Sequence, residues 1–109
     1  MPRVSDLELA KKLTMLAQSA QTRRIPFNLS LGKLRQLMER KTCYFTGTPF
    51  DEDVTSPNHR SIDRIDSTGG YTDDNVCACT VQINRLKANL SFEQIGFIYK
   101  GMERHRRRA

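Results

Sequence analysis

The stretch from Ser61 to Lys87, SIDRIDSTGGYTDDNVCACTVQINRLK, constrains the fold most, because it sets two short β-prone runs and a helix around one glycine-rich loop. Ser61 to Ile65 and Asn75 to Cys79 are each the length of an ordinary strand. Gly69-Gly70 is expected to supply φ > 0 freedom to the loop between them, and a helix from about Val81 to Ala88 follows the second run.

Helices flank this segment. Ser5 is placed as an N-cap, with Glu8 completing a capping box and Val4 and Leu9 at staple positions, so a helix over about 6–22 is expected. Leu9, Leu13, Leu16 and Ala20 form its inner stripe, leaving Lys11, Lys12 and Gln18 outside. Ile25-Pro26-Phe27 interrupts, since proline disfavours helix in the residue before it. A second helix opens at Ser30, buries Leu31, Leu34, Leu37 and Met38, and closes through Glu39-Arg40-Lys41. The last helix is capped by Ser91 with Gln94 in the box, and Ile95, Ile98, Tyr99 and Met102 are its expected buried side. The expected class is α+β in one domain: a helical part over 1–41, the strand-loop-strand-helix part over 42–88, and a helix with a basic tail over 89–109.

The chain has 109 residues, a net charge of +6 and a pI of about 9.6. Its cations concentrate at Arg23-Arg24, Arg35 to Lys41 and Arg104 to Arg108, which points to polyanions and first to nucleic acid. The final arginines read equally as a solvated tail; the two readings are compatible. The amino-terminal MPRVSDLELAKK has no apolar core of a signal sequence, and no run reaches the roughly 18 apolar residues of a membrane span, so a soluble cytoplasmic protein is expected. Cys43, Cys77 and Cys79 form no CxxC pair and are expected to be reduced thiols.

On Asp63-Arg64, Gly69-Gly70, Asn75 and Asn84, in that order, the segment resembles the ββα-metal (HNH, or His-Me finger) nucleases, and most closely a phage-type variant that reads DRID in place of the Asp-His pair. The resemblance implies a β-hairpin and helix clasping one Mg²⁺ or Mn²⁺ ion, with Asp63 and Asn84 as ligands, Asn84 opening the helix, and Asn75 ordering the loop. Arg60, Arg85, Lys87, Arg106, Arg107 and Arg108 would then contact DNA phosphates. Read singly, Asp63 could instead pair with Arg60 or Arg85, and Asn75 and Asn84 could be ordinary turn and helix residues.

Arg64 stands where the family carries the histidine that takes a proton from water. An arginine stays protonated and has no free lone pair, but it can grip phosphate bidentately. A substitute base would be His59, Asp66 or, less well placed, Asp73 or Asp74. Tyr71 is either a packed loop anchor or a stacking surface.

Many members of the family brace the finger with zinc on four cysteines. Here the first knuckle reads Cys43-Tyr44-Phe45-Thr46 and the second falls on Thr80 and Ile83, so no zinc is expected. A core of Tyr44, Phe45, Val76, Ile83 and Leu86 is expected in its place, with Cys77 and Cys79 as small buried residues.

The leading expectation is thus a small metal-dependent DNA endonuclease or nickase of phage origin. The alternatives are a catalytically inactive relative that binds nucleic acid, and an inhibitor of a host protein, for which the acidic loop Asp51-Glu52-Asp53 is the feature that hints at a protein contact.

Overall fold

The computed structural model describes residues 4–108, the Arg108 side chain excepted. The fold is α+β: the described residues form four helices and two small sheets. In chain order the elements are α1 (Asp6–Thr22), β1 (Phe27–Asn28), α2 (Leu31–Met38), β2 (Arg60–Arg64), β3 (Tyr71–Thr72), β4 (Val76–Thr80), α3 (Val81–Lys87) and α4 (Phe92–Arg108).

Local signals set the helix starts. The hydroxyls of Ser5 and Ser30 accept from the amides of Glu8 and Lys33, and at α4 the capping box is reciprocal: Gln94 N–H donates to Ser91 Oγ, and Ser91 N–H to Gln94 Oε1. α2 stops at Met38, earlier than the Glu39 to Lys41 closure read from its sequence.

β2 and β4 pair antiparallel, with Asp63 opposite Cys77 and Ser61 opposite Cys79. All five residues of β4 are buried because the pair is covered on both faces. Side chains alternate along a strand. Ile62, Val76 and Ala78 therefore join Leu9, Ala20, Leu29, Leu34 and Leu37 of the helical layer in the main core. The opposite face carries Ser61, Asp63, Cys77 and Cys79 toward α3. Thr80 ends β4 and caps α3, its hydroxyl accepting from Ile83 N–H, so the helix leaves the strand without a loop.

A second, parallel pair was not expected. β1 pairs with β3, and Tyr71 N–H donates to the Pro26 carbonyl. Ile25-Pro26-Phe27 is thus more than an interruption: it anchors the glycine loop to the helical layer. Gly70 is required there, because a Cβ would lie 2.6 Å from the Pro26 oxygen. Neither Gly69 nor Gly70 has positive φ; the pair serves close approach, and Gly47 at φ 73° is the glycine that uses the left-handed region.

Other expected core positions fail. Tyr44, Phe45 and Leu86 are exposed, and Tyr44 to Thr46 form a turn, held by Cys43 N–H to Thr48 O and Gly47 N–H to Cys43 O. In α2, Leu31 is half exposed. Lys12 is half-buried instead of outside, and burial lowers its pKa.

The largest departure is α4. No residue from Phe92 to Arg107 is buried, and Ile95, Ile98, Tyr99 and Met102, the expected inner stripe, face solvent. The basic tail is the end of this helix. A radius of gyration of 15.5 Å and extents of 54 × 32 × 22 Å record the elongated shape, against about 13 Å for a compact chain of this length.

Candidate functional site

A cleft of about 410 Å³ opens between β2, α3 and the end of α1, lined among others by Arg23, Asp63, Arg64, Tyr71, Asn84 and Arg85. It gathers five of the residues singled out from the sequence for a role in the motif: Asp63, Arg64, Tyr71, Asn84 and Arg85. Arg23 is new. It sits at the C-cap of α1, far away in sequence, and its Nη1 reaches the Tyr71 hydroxyl at 3.4 Å.

Arg64, the last residue of β2, is buried. One of its N–H groups donates to the Gly69 carbonyl at 2.8 Å, and its guanidinium lies over the Tyr71 ring, 5.6 Å from the centroid. Tyr71 is itself buried and tilted against Phe27. It is a packed anchor, with no open face for stacking a base.

Asn75 orders the loop as expected. Its Oδ1 accepts from Asp66 N–H, while its Nδ2 donates to the carbonyls of Asp66 and Gly70. It lies outside the cleft and acts by fixing the loop that carries the Gly69 carbonyl. Asn84 does not open α3; it is the fourth of seven residues, and its amide donates to Ser61 Oγ at 2.7 Å.

Asp63 is buried and paired with neither Arg60 nor Arg85. Its Oδ1 accepts from the amide of Arg64, and the Lys87 ammonium stands 3.1 Å from its Oδ2. That approach is within ion-pair distance but off the hydrogen-bond axis, since Oδ2 has no aligned donor. The interaction is therefore chiefly coulombic. Lys87 also donates to the Arg64 carbonyl at 2.7 Å and to Ser67 Oγ at 2.9 Å. A side chain with these partners and 7 % exposure does not face a nucleic acid, so the reading of Lys87 as a phosphate contact is corrected: it is an internal cation tying α3 to β2 and its loop.

The substitute bases lie elsewhere. His59 sits before β2, with Nδ1 3.0 Å from the Asp51 carbonyl; four residues of strand, roughly 13 Å, separate it from Asp63. Asp66 accepts from the amide and hydroxyl of Thr68, and these bonds hold its carboxyl below the usual carboxylate range. Asp73 accepts from the amide and hydroxyl of Ser30, and Asp74 from Thr72 Oγ1. Each carboxylate closes a local turn or joins two elements, and none of them lines the cleft.

Asp63 and Asn84, the ligands the resemblance implies, both line the cleft. Mg²⁺-type sites need hard oxygen donors of net negative charge. Here the cleft is lined by one carboxylate and three arginines, and that carboxylate carries an ammonium at 3.1 Å. Among the described residues no group of three or more His, Cys, Asp or Glu is placed to hold a metal. An oxygen-rich anion is the ligand whose charge this cleft complements.

At the position of the first knuckle, burial raises the Cys43 pKa, but hydrogen bonds with the Thr46 side chain and the backbone of Thr80, Thr46 and Phe45 outweigh it and leave the pKa lowered. Cys79 is pushed up by its hydrogen bond with Cys77 and by burial. Arg60 is spread over Phe50 at 4.8 Å, with one N–H on the Arg40 carbonyl. Arg106 and Arg107 are exposed on α4. Arg108 ends that helix, its side chain outside the described set. Among the described residues no helix is long and apolar enough to cross a membrane.

No protein-family model matches the chain, and no solved structure does. Among curated proteins it is similar to one from Enterobacteria phage T4, described as an uncharacterized 29.0 kDa protein in the dda-modA intergenic region, with 26% identity over 88 residues. The match covers 81% of this chain and 35% of the phage protein, so the chain spans about a third of that relative's length.

Proposed function

We infer that this chain binds nucleic acid and that its β2–β4–α3 unit grips phosphate in the arginine-lined cleft without hydrolysing it. The observation that carries the reading is Arg64, fixed by Gly69 and Tyr71 where the resemblance places a proton-accepting histidine. A guanidinium has five N–H donors, and Gly69 takes one of them. The others, with Arg23 and Arg85, suit the oxygens of a phosphate. The net charge of +6 adds sequence-independent affinity. The likeness to a phage protein supports a phage origin.

Fluorescence anisotropy with a labelled duplex over a salt series tests this. Arg23→Ala/Arg85→Ala removes two exposed arginines and, inside the fold, the long Arg23 bond to the Tyr71 hydroxyl, so affinity should fall and the log–log salt slope should shrink by about 0.9 per lost contact. An unchanged slope and affinity would place DNA elsewhere.

Metal-dependent nicking is the second reading, favoured by Asp63 and Asn84 lining one cleft. Arg64→His distinguishes the two. A positioned general base is worth about 10² to 10⁴ in rate, so a gain of that order in plasmid cleavage would favour a nuclease frame. Silence with either residue favours binding.

A further inference from the structure

We propose that α4 is a docking helix for an acidic partner protein whose apolar cleft closes around it on two sides. The proposal is independent of the arginine cleft. Ile95, Ile98, Tyr99 and Met102 recur at i, i+3, i+4 and i+7, the anchor spacing of a helix lying in a groove, and all four are exposed. The opposite side is not simply polar. Phe97 is 73 % exposed there, on the same stripe as Lys100, Arg104 and Arg107.

Two other occupants fit less well. A lipid surface covers one side of a helix and would leave Phe97 in water, with Glu103 on the flank of the apolar stripe facing anionic headgroups. A second copy also covers one side, and it brings like charge. From Phe92 to Arg108 five cations (Lys100, Arg104, Arg106, Arg107, Arg108) oppose two carboxylates (Glu93, Glu103), a net +3 on each helix. A partner that encloses the helix and lines its rim with carboxylates satisfies both the two-sided apolar pattern and the charge. The host-protein contact considered for the Asp51-Glu52-Asp53 loop is better placed here. In that loop Asp51 and Asp53 are occupied by local bonds to the Asp53 amide and to Thr55.

Calcium-loaded calmodulin is a suitable probe, because it presents an acidic, methionine-rich cleft that wraps basic amphipathic helices and closes when calcium is removed. Labelled calmodulin is titrated with the full chain, and with Ile98→Asp and Phe97→Asp, whose exposed positions leave the fold intact. The expected result is saturable 1:1 binding abolished by EGTA and weakened at least about tenfold by either substitution. No saturable binding overturns the proposal, as does binding that neither substitution weakens, which would be charge attraction alone. Sedimentation velocity showing a dimer lost in Ile98→Asp would identify a second copy instead. Co-sedimentation with phosphatidylglycerol vesicles that survives Phe97→Asp would identify a lipid surface.

Discussion

Replacing Lys87 by methionine keeps an unbranched apolar side chain of similar length and removes the ammonium that sits on Asp63. The two side chains are 7 % and 10 % exposed, so the carboxylate left behind is buried and has no other cation within ion-pair distance among the described residues. Removing one partner of a buried pair costs about 3–5 kcal/mol. The freed Arg64 carbonyl and Ser67 hydroxyl fall within that figure, not on top of it. A chain of this size is stable by about 5–16 kcal/mol, so the loss is a large share of the total. The expected readout is a urea midpoint lowered accordingly and a Tm lower by upwards of about 10 °C. Asp63→Asn/Lys87→Met removes the orphaned charge as well and should recover at least about 1 kcal/mol relative to Lys87→Met, a coupling typical of contacting residues. A cost below about 1 kcal/mol for Lys87→Met, or strict additivity in the double variant, would refute the internal ion pair and with it the argument that Asp63 is already neutralised.

Gly70→Ala should destabilise by at least about 1 kcal/mol because the new Cβ meets the Pro26 backbone oxygen, whereas Gly32→Ala, in open space on α2, should stabilise by about 0.5–1 kcal/mol; urea unfolding measures both. Ala88 holds φ 45° and ψ −125° at the end of α3, so Ala88→Gly should stabilise by about 1 kcal/mol in the same assay, and a loss would show that strain there is absent. Asp73 is held below the usual carboxylate range by the Ser30 amide and then its hydroxyl. A depressed pKa in the folded state gives stability that is present above the unfolded value, near 3.9, and is lost as pH falls through the lower folded value. Asp73→Asn should therefore flatten the acid limb of the stability profile, and an unchanged limb would remove the Ser30 contact from the account.

What the sequence made legible was mostly local. Ser5, Ser30 and Ser91 cap helices through bonds spanning three residues, so the pattern carries the whole mechanism. Asn75 was readable for the same reason, its partners lying within nine residues. Arg23 and the Phe27–Tyr71 pairing join residues dozens of positions apart, and no spacing rule marks them. Lys87 looked like a surface cation because a lysine on a short helix usually is one. Its burial depends on the opposing face of β2 offering a carboxylate. For α4 the amphipathic pattern was correct and the conclusion drawn from it was not: a stripe shows that a helix has a side to bury, while the partner that covers it need not belong to the same chain.

The most direct test of phosphate binding without hydrolysis is to incubate the protein with supercoiled plasmid in Mg²⁺, in Mn²⁺ and in EDTA, beside Asp63→Ala and Arg64→Ala, reading retardation and nicking on one gel. The account predicts salt-sensitive retardation that EDTA leaves unchanged, that Arg64→Ala weakens, and no nicking in any lane. Metal-dependent nicking that disappears in Asp63→Ala would contradict it and make the cleft a working nuclease centre.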